Sequence, residues 1–297
     1  MKLKTCYQLV KEIGVSLAIV GATIISPLVA SEPLSDEKQS ESVSQLDWHF
    51  AGKHKLSNSH STLSLSEERM VVFGKDAQKF SELCGNPDDS SLEAVVLAGD
   101  AGSIVYFSSH NEGYVSLDDW NKMDSKELLA TVIENTEKTN LIRRKNGTPE
   151  IHVVGWMQEP TLDRQTNTVY WAIEAEDESG RLVNSIALRL GRKGYERLNW
   201  VTEKSSYVPF GGELDVMLRA HSFETGYKYA DFVEGDKIAT YGIAGLIAAT
   251  LGTKILKATG LILLFKKFGV YIVAGLSALF FKFRDKMKRL FGRSSSQ

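Results

Sequence analysis

Short apolar runs, some alternating with polar residues and some unbroken, recur between turn residues through the middle of the chain. Ser61–Leu65 sets Leu63 and Leu65 among serines, and Arg69–Phe73 carries Met70-Val71-Val72-Phe73 beyond a Ser66-Glu67-Glu68 turn, so two strands are predicted. The period then changes. Lys75–Cys84 places Ala77, Phe80, Leu83 and Cys84 on one helical face, and Gly85-Asn86-Pro87 stops it. Leu92–Leu97 and Ser103–Ser108 read as a hairpin around Gly99-Asp100-Ala101-Gly102. The longest helical pattern is Ser125–Lys145, with Ser125 as N-cap candidate and Leu128, Leu129, Val132, Ile133 and Thr136 facing inward.

Four extended runs come next: Ile151–Met157, Val169–Glu176, Leu182–Leu190 and Tyr195–Thr202. Short polar or glycine-bearing turns join them, which predicts an antiparallel meander. A helix over Glu213–Ala220 closes the pattern before Phe223. The expected fold class is α+β, with helices packed on one side of an antiparallel sheet.

The two ends break this pattern. Lys2, Lys4 and Lys11 precede an apolar run from Ile13 to Val29, and a polar tract begins at Glu32. That order is expected of a signal peptide over residues 1–30, with an uncleaved anchor helix as the alternative. Either outcome exports the main domain. Residues 31–45 read as a polar linker, and the folded unit is expected over 46–235. From Ile238 the chain turns apolar again: Ile238–Thr253, Ala258–Phe265 and Phe268–Phe281 carry no charge, and lysines interrupt them. Residues 236–281 are therefore expected as a membrane-embedded helical region. The fourteen residues of the last run reach only about 21 Å at the helical rise, so Lys266, Lys267 and Lys282 would snorkel. Whether Ile238–Thr253 makes a second crossing or lies in the interface stays open. A pair of core helices in a soluble protein is the alternative.

Charge adds direction to this picture. The 297 residues carry a net −2, but residues 1–30 hold +2, residues 238–297 hold +9, and −13 remains for the middle. An acidic middle argues against nucleic acid as a partner, because phosphates would be repelled. The basic tail 282–297, next to an apolar run, is expected in the cytoplasm. The lipid bilayer is then one partner and other envelope proteins are further candidates, with the main domain in the periplasm and the anchor in a bacterial inner membrane. The two cysteines, Cys6 and Cys84, exclude a disulfide framework, and Cys84 reads as a buried small apolar residue.

Candidate chemistry is sparse. No nucleophile elbow, zinc-protease helix, phosphate loop or dinucleotide fingerprint occurs. His49, His54 and His60 could meet around a metal if their loop folded back, but no local Cys or acid completes a shell. Asp118 and Asp119, or Asp163, are candidates for a carboxylate-dependent hydrolase, against helix capping or solvation as the plain reading. Glu174, Glu176, Asp177 and Glu178 read as a hairpin tip. Trp156, Trp171 and Trp200 lie on three of the four meander strands and could line a ligand groove, although strand tryptophans are more often core. Arg143-Arg144-Lys145 complements a helix dipole. No catalytic, cofactor-binding or metal residue is assigned and no cofactor is expected. The leading expectation is a non-enzymatic envelope interaction module, with a hydrolase or a small-ligand-binding domain as alternatives.

Several motifs in the second half also carry a resemblance. Asn140-x-x-Arg143, Gly147, Val154-Gly155-Trp156, Pro160, Asp163, Trp171-Ala172, Leu190-Gly191-Arg192, Phe223-x-x-Gly226-x-x-Tyr229 and Gly235-Asp236-Lys237-x-Ala239-x-Tyr241-Gly242 occur in order. The chain thereby resembles, over roughly residues 60–293, a family of uncharacterised bacterial membrane-anchored proteins, domain of unknown function 2167. The resemblance implies an exported, anchored domain and brings no catalytic residues. The meander, short helix and Ser222-Phe223 also look like the Mog1/PsbP-type α+β sheet, a likeness of fold alone.

Overall fold

The computed structural model describes residues 43–251, apart from 85, 87, 99–102, 146–148 and 179. The signal peptide, most of the linker, the apolar runs beyond Leu251 and the basic tail lie outside the described residues. So do the turn at 99–102 and the Asn146-Gly147 stop.

Ten strands and four helices are described. The strands are β1 (Gly52–Leu56), β2 (Ser61–Leu65), β3 (Arg69–Phe73), β4 (Leu92–Ala98), β5 (Ser103–His110), β6 (His152–Asp163), β7 (Thr168–Asp177), β8 (Gly180–Leu190), β9 (Tyr195–Glu203) and β10 (His221–Phe223). The helices are α1 (Gly74–Leu83), α2 (Ser125–Lys145), α3 (Gly212–Ala220) and α4 (Ile243–Thr250). Seven strands form one antiparallel sheet in the order β3-β4-β5-β9-β8-β7-β6, and β1-β2-β10 form a second. The expected meander is β6 to β9, and it joins the β4–β5 hairpin through β9.

Helices cover both faces of the large sheet, not one. The reason lies in β5, where Ile104, Val105, Tyr106 and Phe107 are all buried, so both faces need a cover. On the first face α1 packs Ala77 and Phe80 against Val95, Ile104 and Tyr106, and Cys84 is buried in that cluster. Farther along it, Leu128 and Val132 of α2 meet Val169, Trp171, Ile186 and Leu188. The second face takes α3, through Leu214 and Met217, and the small sheet, through Leu56, Leu63 and Leu65.

Helix α2 begins where expected, but its cap is Asp124. The Asp124 carboxylate accepts from the backbone N–H groups of Lys126 at 2.9 Å and Glu127 at 3.1 Å. Ser125 instead donates to Glu159 at 2.8 Å. At the far end, Asn140 donates to the Ile151 carbonyl and accepts from the Ile151 N–H, which ties α2 to the entry of β6.

Both edges of the expected 46–235 unit move outward. Val43, placed in the linker by the sequence, is buried and accepts from the Trp48 indole. Residues 236–251, expected in lipid, pack on the protein. Tyr114 N–H donates to Lys237 O, Ala239 N–H to Tyr114 O, and Ile243 N–H to Ser116 O. Ile243, Leu246, Ile247, Ala248 and Leu251 then enter the cluster around Trp171. Among the described residues no helix is long and apolar enough to cross a membrane.

Candidate functional site

A cleft of about 240 Å³ opens on the second face, between the β6–β8 end of the sheet, α3 and the Tyr207–Gly211 loop. Strand alternation builds its floor. Tyr170 and Ala172 on β7, Ser185 and Arg189 on β8, and Trp200 on β9 share this face. Ala172 stands opposite Ser185, and Ser185 opposite Trp200, so these three make one row across the sheet.

Helix α3 and the loop form the opposite wall. Arg69 holds the start of α3 through a bidentate ion pair with Glu213 at 2.7 and 3.0 Å, both side chains being largely buried. Gly212, at φ +67°, rests on the Trp200 ring, and a Cβ there would sit 2.6 Å from a ring carbon. Gln158 accepts from Phe210 N–H at 3.3 Å and from the Tyr207 hydroxyl at 3.4 Å, pinning the loop to β6. Phe210 itself is 62% exposed and meets Tyr170 edge-on at 5.3 Å.

The polar lining is mostly donor. The half-buried Arg189 donates to Leu218 O and forms no ion pair among the described residues, although Glu196 stands opposite it on β9. Desolvation lowers its pKa and Asp163 opposes that shift. Ser185 Oγ and Trp200 Nε1 are buried with no hydrogen-bond partner among the described residues. The acids are already engaged. Asp163 accepts from Thr166 Oγ1 at 2.7 Å and from Gln165 N–H at 2.8 Å, closing the β6–β7 turn and holding its carboxyl below the usual range. Asp215 pairs with Arg219.

The sequence candidates do not converge here. Asp163 reaches the cleft, whereas Asp118 is exposed and Asp119 is buried on the other side, accepting from Ala244 N–H at 3.1 Å. Asp119 thus caps α4, and Gly242 is needed there because a Cβ would lie 2.4 Å from its carboxylate. Trp200 and Trp171 both border the cleft, although the Trp171 side chain packs in the opposite cluster with Trp156, which donates to Ser125 O. The three rings do not share one groove, because Trp171 and Tyr170 alternate on β7. His49 and His54 meet over Phe73, and His60 stacks on Tyr227 at 3.9 Å. No group of three or more metal-ligating side chains occurs among the described residues. Glu174 is buried rather than solvated, bound by Lys204 at 2.7 Å and Arg181 at 3.1 Å.

Sequence reasoning passes over Arg189 and Ser185. The available signal is polar residues inside the otherwise apolar run Leu182–Leu190. It also misses a second buried polar cluster: Ser59, Ser61 and His221 are linked at 2.8 Å each, and burial and Glu93 push the Glu196 carboxyl well up.

The model of a family described as "Protein of unknown function (DUF2167)" matches residues 49–279. The chain belongs to this family. Several residues of the motifs that carry the resemblance serve the C-terminal strap, residues 236–251. Arg192 grips Asp236 at 2.7 and 2.9 Å, Tyr229 donates to Val115 O, and Gly191 lets the Phe223 ring approach. No curated protein matches the chain. Among solved structures, the solution structure of cyanobacterial PsbP (CyanoP) from Synechocystis sp. PCC 6803 is similar at 10% identity and a TM-score of 0.37. That match covers 58% of this chain and 92% of the other. Nothing is carried across from it.

Proposed function

We propose that this chain is an exported binding module tethered to a bacterial inner membrane, acting by binding rather than turnover. The observation that carries the binding reading is the cleft, where Arg189, with donors left beyond its bond to Leu218 O, stands beside the buried, unpartnered Ser185 Oγ and Trp200 Nε1 and aromatic walls. Turnover by carboxylates would need two acids converging on one space. Asp163 and Asp215 both border the cleft, but Asp163 is held in a turn and Asp215 is paired with Arg219, and Asp118 and Asp119 lie elsewhere.

The location rests on the leader-like first thirty residues and on the basic tail. Burial of Ile243–Leu251 by protein favours a single crossing further along the chain, with the tail in the cytoplasm. Envelope proteins are candidate partners of the surface around the cleft mouth, where Val208 and Phe210 are exposed.

Two measurements test this. Protease added to intact spheroplasts should digest the 46–235 domain, and a domain protected until lysis would refute export. A chemically broad fragment set screened by thermal shift on the full chain in detergent should include stabilisers whose effect is lost in Phe210→Ala. A complete absence of such stabilisers would refute the binding reading.

A further inference from the structure

We propose that the cleft recognises a small organic carboxylate carried on a flat apolar body, with Arg189 and Ser185 seating the carboxylate and Trp200, Tyr170 and Phe210 packing the body. This rests on the binding reading and names its ligand class.

Charge decides the head group. Arg189 is half-buried, donates to one carbonyl and makes no contact ion pair among the described residues, although Asp163 lies near enough to act on its charge, while Asp215 is paired with Arg219. A cationic ligand would meet Asp163 only as a carboxylate already accepting from Thr166 and Gln165, and would face the guanidinium. One guanidinium matches one negative charge, and its planar fork fits a carboxylate. A phosphate dianion would bring a second charge near Asp163 with no second cation free to meet it.

Burial decides the floor. Ser185 is 2% exposed, and its hydroxyl has no partner among the described residues. A buried polar group in that state favours a ligand that supplies an acceptor. Ser185 lies opposite Trp200 across the β8–β9 pair, so the acceptor site and the ring wall are neighbours. Size decides the body. About 240 Å³ is below the 300–1,000 Å³ typical of drug-sized sites, which suits a single ring with a short acid arm.

The test uses fluorophenylpropionate and the neutral fluorophenylpropanamide, monitored by fluorine NMR on the full chain in detergent, with empty micelles as control. The acid should broaden saturably and the amide should bind at least ~10-fold more weakly. Ser185→Ala should weaken the acid and, to a smaller extent, the amide, because both offer an acceptor oxygen to the hydroxyl. Arg189→Met should weaken the acid by roughly 10- to 100-fold, the range of a charge-assisted hydrogen bond. Phe210→Ala, at an exposed position that tolerates truncation, should weaken both probes, so the proposal stays testable should Arg189→Met fail to fold. Equal binding of acid and amide would overturn the carboxylate inference and leave the binding reading standing. If neither probe binds while the fragment set yields cleft-dependent stabilisers, the ligand class is wrong. If the fragment set fails too, both readings fall.

Discussion

The two faces of the large sheet are made by the same strands and end in opposite states. On the first, Trp171 is 1% exposed and sits among Val169, Ile173, Ile186 and Leu188, sealed by α2 and α4. On the second, one residue away along β7 and β8, Tyr170, Ser185 and Arg189 face a cleft. A period of two lets one sequence serve packing and recognition together, because neighbouring side chains leave the backbone on opposite sides. Polar residues are tolerated on the second face because α3 and its loop bridge over it without filling it.

The sharpest way to break this contrast is to empty the sealed side. Trp171→Ala should cost about 3–5 kcal/mol, as large buried aromatics do, read from denaturant unfolding of the full chain. Ile247→Ala in α4 should cost about 2–4 kcal/mol in the same assay. It should also speed proteolytic release of the strap. If Ile247→Ala is silent, α4 does not belong to the first-face core.

Titration offers an intermediate probe. Burial pushes His221 down to about 3 from its ordinary 6.5, so the unfolded chain takes a proton there before the folded one does. Its contribution is present above pH 6.5 and is lost as pH falls toward 3. The stability difference between the natural chain and His221→Asn should therefore shrink as pH falls through that window, with a limiting slope of roughly 1.4 kcal/mol per pH unit in its middle. Glu196 has the opposite sign. Its carboxyl is pushed up, so the folded state holds the extra proton and stability is lost as pH rises above the ordinary carboxyl value. Comparison with Glu196→Gln as pH rises above the ordinary carboxyl value should trend the other way.

Smaller effects sharpen the comparison. Asp124→Ala removes the α2 cap and should cost about 1 kcal/mol. Phe210→Ala at the cleft mouth should change stability by less than about 0.5 kcal/mol while weakening ligand binding. A large loss of stability there would mean that Phe210 is part of a core.

Much of the fold is legible locally. The bounds of β2, β3 and α2 come from alternation, from the 3.6-residue period and from turn residues, all of which act within a few positions. The α2 cap falls one residue before the expected Ser125, because Asp124 and Ser125 are both good caps and only the backbone path distinguishes them. Helices cover two faces rather than the expected one because β5 carries an unbroken apolar run, Ile104–Phe107, and such a run does not say which elements cover each side. The tryptophans divide for a related reason: Trp171 and Trp200 border the cleft while Trp156 packs in the opposite cluster, and each one's place depends on strand register, which no single strand records.

The C-terminal apolar run is the clearest case of divided authority. Composition by itself determined that most of Ile238–Thr253 favours leaving water, since it carries no charge and is rich in Ile, Leu and Ala, although Ile238 itself stays exposed. Tertiary structure alone decided that residues 243–251 leave it for protein, because Asp119, Tyr114 and Ser116, more than a hundred residues earlier, satisfy the backbone N–H groups of the strap. The hydrophobic effect is non-directional and names no destination; hydrogen-bond partners brought close by folding supply one.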